Sequence, residues 1–241
     1  MNTNSYLHRR TAMYTQIKMS ADVEQNLDGV KVYGLHLQLT PKEDGSNADY
    51  KPEWEQIHAA WRGKSKAEVA AVPIMAAYQS FYQQIGLNPK KYPPSVQNLI
   101  QRFFIKEELD RLPLIHPIVD AVNVAALQHL IPLGVFDAEC VSGDIHLTFT
   151  RGGEAFQGLG EAEPEALPEG LLVLADEEKV LSRFCYRDSE VQKVTDATRQ
   201  VWLLGCQVPG VDESAVKESL SAGLELIGRA YQCDLGPIHA G

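Results

Sequence analysis

Residues 117–207 constrain the fold most, because this stretch sets short polar clusters inside otherwise apolar strands and helices. The clusters are the pair Asp120 and Asn123, the single residue Asp137, and the segments 187–190 and 195–198. Polar groups at the ends of apolar elements tend to meet in a pocket assembled from distant segments. The sequence therefore predicts a folded domain with a composite site rather than one linear motif.

The composition allows one large domain and limits its partners. The chain has 241 residues, of which 44% are hydrophobic, and 32 acidic against 22 basic residues give a net charge of −10. This charge opposes a broad grip on duplex nucleic acid but allows a small contact with a single-stranded RNA end. The chain shows no signal-peptide pattern and no apolar run of about 20 residues. We therefore expect a cytoplasmic, soluble protein that does not bind a membrane.

Common catalytic and metal-binding motifs do not occur in the sequence. The four cysteines are far apart without a CxxC pair, the seven histidines lack metal-ligand spacing, and neither GxSxG nor HExxH is present. We expect free thiols, no metal and no cofactor. A covalent hydrolase is disfavoured, although a triad assembled from distant segments stays open.

Hydrophobic periodicity predicts an α+β fold with a central mixed or antiparallel sheet flanked by helices. The residues from Val30 to Leu39 alternate with a phase change at Gly34, which predicts a strand with a β-bulge there. Further strands are predicted at 145–150, 171–175, 180–186 and 200–205, after a polar turn at 41–48. Helices are predicted at 53–61, from Pro73 to Gly86, from an N-cap at Ser95 through Phe104, at 117–130 and at 212–231.

Several polar segments allow two interpretations. Asp120 and Asn123, three residues apart on one helix, either brace a neighbouring loop or face a pocket. The segment 187–190 either places a carboxylate at a pocket wall or forms a surface turn with an Arg187–Asp188 ion pair.

Other short segments are interpreted in the same way. The residues at 195–198 predict an N-cap or turn, and the glycines at 152–153 predict a hairpin turn. Lys90, Lys91 and Arg102 are either a solvated helix end or an RNA contact, which salt dependence would separate.

A family resemblance rests on five short motifs in a fixed order. They are Val119, Asp120 and Asn123 as Val-Asp-x-x-Asn; Pro132, Phe136 and Asp137 as Pro-x-x-x-Phe-Asp; Gly153 and Glu154; Ala175 and Asp176; and Glu190 ahead of Val194, Asp196 and Thr198. In these motifs the chain resembles the B3/B4-type editing domain of the phenylalanyl-tRNA synthetase β subunit. The resemblance implies one domain over 1–241, with an N-terminal strand and helices at 1–90, the matching core at 91–210 and a terminal helix at 211–241.

The resemblance also implies an activity and a site. The activity would be hydrolysis of the ester between a wrong amino acid and the terminal adenosine of a tRNA, by a positioned water and without a covalent intermediate. Asn123 would orient substrate or water, and Glu190 would contact the amino-acid side chain. The implied substrate-binding residues are Asp120, Val122, Gly134, Phe136, Gly153, Arg187, Asp188 and Gly205, with Gly153 and Gly205 allowing close backbone approach.

Three departures from the family pattern leave the function open. Where the family commonly has Thr before the Asn and His in the Phe-Asp turn, this chain has Val122 and Gly134, and Asp188-Ser189 replaces a Gly-Gly pair. Either the site is rebuilt for another aminoacyl group or catalysis is lost.

The first hypothesis is a trans-acting aminoacyl-tRNA deacylase that does not ligate amino acids and binds the acceptor end of an aminoacylated tRNA, with a synthetase as a further candidate partner. The alternative is a non-catalytic binding module for an amino acid, a nucleotide or a tRNA end; the terminal helix weakly indicates a partner-binding protein.

Overall fold

Two five-stranded β-sheets form the frame of the protein in a computed structural model, which describes residues 14–42, 48–109, 111–112 and 114–236. The strands are β1 Thr15–Gln16, β2 Lys18–Met19, β3 Lys31–Pro41, β4 Leu133–Asp137, β5 His146–Arg151, β6 Ala155–Phe156, β7 Glu165–Ala166, β8 Glu169–Ala175, β9 Val180–Arg183, β10 Arg187–Asp188, β11 Gln200–Gln207 and β12 Tyr231–Leu235. The helices are α1 Ala21–Asn26, α2 Lys51–Trp61, α3 Lys66–Ala70, α4 Pro73–Gln84, α5 Ser95–Leu99, α6 Pro117–His129 and α7 Glu213–Ile227. The predicted turn at 41–48 lies partly outside the described residues.

The first sheet has the order β1-β3-β11-β4, and β12 also pairs with β3. The β3–β11 register runs unbroken from Gln38 to Lys31, so the predicted bulge at Gly34 is wrong. The phase change arises instead because residues 32–35 are buried on both faces of the strand. A side chain at Gly34 would stand 3.0 Å from Leu204 and 3.1 Å from Trp202, so close packing accounts for the glycine.

The second sheet has the order β10-β9-β8-β5-β2 and is antiparallel except for the parallel pair of β2 and β5. The predicted turn at Gly152–Gly153 is present, with φ of +91° and +95°. It is not a β5–β6 hairpin, because β5 pairs with β8 and β6 pairs with β7. The predicted strand 180–186 ends at Arg183, where Phe184 adopts a positive φ of 45° and turns the chain into β10.

Helix boundaries agree with the sequence in two cases and differ in two. The helices α4 and α6 begin at Pro73 and Pro117 as predicted. Ser95 is not an N-cap: Pro94 holds that position, and α5 continues into a π-helical turn, Ile100–Phe104. The terminal helix ends at Ile227, and the sequence analysis missed the following strand β12, which borders β3. The terminal segment is therefore a helix and a strand.

Helices α6 and α7 cover one face of the first sheet. Gly205 on β11 meets α7 so closely that a side chain there would lie 2.9 Å from Val216, and one at Gly223 on α7 would lie 3.0 Å from Leu203. A continuous buried core joins this layer to both sheets. The α+β class is confirmed, but with two sheets in place of one central sheet. In the part of the chain that the structure describes, no helix has the length and apolarity needed to cross a bilayer.

Candidate functional site

Two adjoining cavities lie at strand β4, the edge strand of the first sheet. The inner cavity, about 200 Å³, lies between the two sheets. The edge cavity, about 180 Å³, lies between β4, helix α6 and the segment 189–194. Both are lined by Leu133, Gly134, Phe136, Leu159 and Asp188. Two of the polar clusters therefore contribute to a composite pocket, through Asn123 and residues 187–189, whereas Asp137 and the segment 195–198 line neither cavity.

The inner cavity is open because Gly134 brings no side chain to the space between the sheets. The nearest atoms to a side chain built there are a Phe136 ring carbon at 3.5 Å and the Asp188 Oδ2 at 3.9 Å. Opposite stands the cross-strand row Leu174, Ser182 and Asp188 of the second sheet. The wall is apolar apart from this row and a few neighbouring side chains.

The edge cavity exposes backbone as well as side chains. The Asp137 N–H donates to the Gln192 carbonyl at 2.9 Å, on the side of β4 away from β11. Because successive residues of a strand alternate their hydrogen-bonding direction, the N–H and C=O of Val135 also point to that side. Val135 lines the cavity together with Val122 and Asn123 of α6. A backbone donor, a backbone acceptor and an amide thus share one small space.

Asp137 and Asp120 have structural partners. Asp137 accepts hydrogen bonds from the Glu139 N–H at 3.0 Å and the Thr198 hydroxyl at 2.5 Å, and Thr198 closes the predicted turn at 195–198. Asp120 is buried and accepts from the Ile115 N–H at 2.9 Å, while desolvation raises its pKa. Asp120 lines neither cavity, so it takes the loop-bracing role of the two that the sequence left open.

Asp188 is the titratable group at the junction of the cavities. Desolvation raises the pKa of its carboxyl from 3.8 to about 6, although the nearby Ser182 hydroxyl and the charge of Arg187 act in the opposite direction. The expected carboxylate at a pocket wall is therefore present in the structure.

Arg187 pairs with Glu161 and not with Asp188, so the second of the two interpretations of this segment, a surface turn with an Arg187–Asp188 ion pair, is wrong. The Arg187 Nη2 lies 2.8 Å from the Glu161 Oε1, and Gly158 lies beneath this pair, where a side chain would come within 2.6 Å of the guanidinium. The pair holds the segment 157–161, which we call the rim loop, against β10. The Leu159 N–H also donates to the Asp188 carbonyl at 2.9 Å, which places the Leu159 side chain over both cavities.

Glu190 lies beside the rim loop and lines neither cavity. Its Oε2 accepts from the Gly160 N–H at 3.2 Å and its Oε1 pairs with Lys193; both partners lower its pKa. A contact between Glu190 and an amino-acid side chain stays a prediction.

The two glycines expected to admit a substrate lie elsewhere. Gly153 is in the exposed turn after β5, with no atom within 4 Å of a built side chain. Gly205 packs under α7. Neither glycine lines either cavity. Gly153 allows the backbone conformation of the turn, and Gly205 allows helix α7 to pack closely. Among the substrate-binding candidates, the cavities bring together Val122, Gly134, Phe136, Arg187 and Asp188.

Sequence reasoning missed the cysteines and the rim loop of this site. Cys185 and Cys206 both line the inner cavity, and desolvation raises the pKa of Cys185 well above its usual value. A neutral thiol is a poor nucleophile near neutral pH. Only the strand predicted at 180–186 hinted at Cys185, whereas Leu159 and the exposed Val135 backbone had no local signal.

Basic and aromatic residues lie beside the inner cavity. Tyr186 lines the cavity and contacts the ring of Tyr92, with centroids 5.5 Å apart. The Lys91 Nζ stands 5.0 Å from the centre of the Tyr92 ring, and Lys90 is exposed next to it. We call Lys90, Lys91 and Tyr92 the basic rim. Arg102 stands over Phe103 on the π-helical turn instead.

Comparisons with known proteins agree on one family. The model of the B3/4 domain matches residues 77–222, more than half of the chain. The phenylalanine–tRNA ligase β subunit of Methylococcus capsulatus is 38% identical over 102 residues, which are 42% of this chain and 13% of that protein. The corresponding subunit of Neisseria meningitidis serogroup B is 34% identical over the same lengths. The chain thus matches about an eighth of the length of these relatives.

Among solved structures, an N-terminal fragment of the phenylalanyl-tRNA synthetase β subunit from Pyrococcus horikoshii matches this chain with a TM-score of 0.41 and 12% identity. The match covers 90% of this chain and 51% of that chain.

Proposed function

We propose that this chain, which belongs to the B3/4 domain family, hydrolyses the ester bond of a mischarged aminoacyl-tRNA. The observation that carries the proposal is the convergence of the Asn123 amide, the Asp188 carboxyl and the outward backbone of Val135 on two adjoining cavities. The names of its relatives point to the substrate class, because those proteins are β subunits of a tRNA ligase. The chain would work on tRNA in the cytoplasm, with a synthetase as a candidate partner.

The inner cavity would receive the amino-acid side chain. Its volume of about 200 Å³ exceeds the roughly 150 Å³ that holds a benzene ring in an apolar protein cavity. Phe136, Leu174 and Leu204 supply apolar walls. A side chain of moderate size therefore fits, and the ester would then lie at the edge cavity.

The ester would be attacked by water beside Asn123. The Asn123 side chain and the Val135 C=O can hold the water, while the Val135 N–H donates to the carbonyl oxygen as negative charge develops there. The water oxygen bonds to the carbonyl carbon, the ester C–O bond breaks, and a proton passes to the leaving ribose oxygen. No covalent intermediate is required, which agrees with the raised pKa of Cys185.

The nucleic acid would approach over the basic rim. Lys90 and Lys91 can neutralise phosphates near the cavity, and Tyr92 offers a face on which a terminal base can stack. Such a contact is small, which suits a chain with a net charge of −10.

Binding without hydrolysis is the second candidate function, and Gly134 favours it. Gly134 lines both cavities and itself has no side chain that could move a proton. A module of this kind would recognise an amino acid, a nucleotide or a tRNA end.

Deacylation of a panel of mischarged and correctly charged tRNAs tests the proposal. Wild-type protein should hydrolyse a mischarged species selectively, and Asn123→Ala should abolish most of that activity. If no aminoacyl-tRNA in the panel is hydrolysed by folded protein that still binds aminoacyl-adenosine analogues, the deacylase proposal fails and the binding module replaces it.

A further inference from the structure

The carboxylate of Asp188 stands where the two cavities meet, and its neighbouring cation is engaged elsewhere. The Arg187 guanidinium is directed to Glu161, 2.8 Å away. Among the ion pairs of the described residues, none includes Asp188. The hydroxyl of the nearby Ser182 donates to the Phe184 carbonyl and carries no charge. The charge of Asp188 thus faces a cavity rather than a fixed counter-ion.

Leucine and phenylalanine side chains make much of the inner cavity apolar around this carboxylate, although Ser95, Tyr186 and Arg187 also line it. A charged group in such surroundings is unfavourable unless a cation joins it. A ligand with a cationic group next to an apolar group would satisfy both parts of the cavity together. The open space over Gly134, where a built side chain would lie 3.9 Å from the Asp188 Oδ2, gives the cation its place.

We propose that Asp188 binds the free α-ammonium group of an aminoacyl ligand whose apolar side chain fills the inner cavity. This inference rests on the proposed function in taking an aminoacyl group as the ligand. Its chemical consequence is selectivity: a ligand whose α-amine is acylated has no positive charge for Asp188 and is rejected. The chain would then act on free aminoacyl groups and not on N-blocked ones.

The other charged and titratable groups near Asp188 leave this assignment intact. On its own strand, Arg187 is held by Glu161. On the turn between β9 and β10, the Cys185 thiol has a raised pKa, partly because of Asp188. On the segment 189–194, Lys193 is paired with Glu190. None of these groups offers a competing carboxylate at the junction of the cavities.

The test compares two probes that differ in the charge of the amine. Phenylalaninamide carries an ammonium group, N-acetylphenylalaninamide does not, and neither contains the ester bond. Titration calorimetry on the full chain at pH 7 should show phenylalaninamide binding about tenfold or more tightly than the acetylated probe. Asp188→Asn should remove about 10- to 100-fold of the affinity for phenylalaninamide and leave the acetylated probe unchanged.

The pH dependence of the wild type provides an independent measurement that needs no variant. With a carboxyl pKa of about 6, the charged fraction falls about tenfold between pH 7 and pH 5, and affinity for phenylalaninamide should fall in parallel. The acetylated probe should show a flat profile. Equal binding of both probes by the wild type, no binding of either probe, or an Asp188→Asn variant that still discriminates would overturn the inference.

A negative deacylation result has a different meaning. If the protein discriminates between the probes but hydrolyses no aminoacyl-tRNA, the proposed hydrolysis fails while the ammonium site stands. If it hydrolyses free and N-acetylated aminoacyl-tRNA equally well, the hydrolysis stands and the ammonium site fails.

Discussion

Gly205 and Gly134 lie on neighbouring rungs of the β4–β11 ladder, on opposite faces of one sheet, and they serve opposite purposes. The place of a side chain at Gly205 is filled, with Val216 at 2.9 Å and Leu220 at 3.3 Å. The place at Gly134 has no atom closer than the Phe136 ring at 3.5 Å. One glycine lets a helix pack closely, and the other leaves the space that becomes the site.

The difference shows that the structural role of a glycine depends on the residues that face it. Helix α7 brings aliphatic side chains to Gly205, whereas Gly134 faces the second sheet, where Ser182 and Asp188 are small or polar. Substitutions on the face of Gly205 should therefore mainly change stability, and substitutions on the face of Gly134 should mainly change activity. This division can be tested on each side.

The largest expected effect is on activity at the open face. Asn123→Ala should lower the rate of deacylation about 100-fold or more, the usual loss when one positioned donor is removed from a hydrolytic site. The free energy of unfolding should change little, because Asn123 lines a cavity. Gln128→Ala, at an exposed position of the same helix, is the matched control and should retain wild-type rates. Equal losses in both variants would assign the effect to the helix rather than to the amide.

The next effect is on stability and separates the two glycines directly. Gly205→Ala should cost about 1–3 kcal/mol in the free energy of unfolding, because the added methyl overpacks the contact with Val216. Gly134→Ala should cost less than about 0.5 kcal/mol, because its methyl makes ordinary contacts. Urea unfolding of both variants measures the difference. Similar losses at the two positions would contradict the division into a filled and an open face.

A third effect follows from the raised pKa of Asp188. The folded carboxyl titrates at about 6 and the unfolded one near 3.8, so the folded state binds more protons between these values and loses stability as pH rises through that window. Asp188→Asn removes this loss. The full shift corresponds to about 3 kcal/mol, but the carboxyl borders an open cavity, so we expect a gain of about 1–2 kcal/mol at pH 7 and little at pH 4. Urea unfolding at both pH values checks it, and a gain that is the same at both would refute the titration.

Much of the fold could be predicted from hydrophobic periodicity, whereas the remaining elements depend on tertiary contacts that the sequence pattern does not show. Pro73 and Pro117 start helices because their fixed φ suits a first helical turn, whatever surrounds them. The phase change at Gly34 predicts a β-bulge, but it reflects burial on both faces of the strand. Strand β12 alternates apolar and polar residues but has no fully buried position, and it pairs with an edge that β3 offers.

The site was predictable only where polar residues interrupt apolar elements. Asn123 and Asp188 were identified in that way, and both line the cavities. The pairing of Arg187 with Glu161 joins residues 26 positions apart, so no local pattern reveals it. The family resemblance implied a substrate contact for Gly205, and only the structure shows that it packs under α7.

A smaller effect is expected on tRNA binding at the basic rim, beside the open face. Replacing Lys90 and Lys91 together by Ala should weaken tRNA binding several-fold and lower the salt dependence of the binding constant by about 0.7 per lost phosphate contact. Lys51→Ala on α2 is the control, because no residue of that helix lines either cavity. An unchanged salt dependence in the double variant would assign these lysines to a solvated helix end.

The smallest effect decides the role of Glu190. If Glu190 only braces the rim loop, Glu190→Gln breaks an exposed ion pair and should slow deacylation by about two- to fivefold without altering the preference among aminoacyl groups. If Glu190 reaches the substrate, Glu190→Gln should change that preference. Measuring rates for two aminoacyl-tRNAs with the wild type and this variant separates the roles. We expect the bracing result, because the Glu190 carboxylate is already held by the Gly160 N–H and Lys193, and Glu190 itself lines neither cavity.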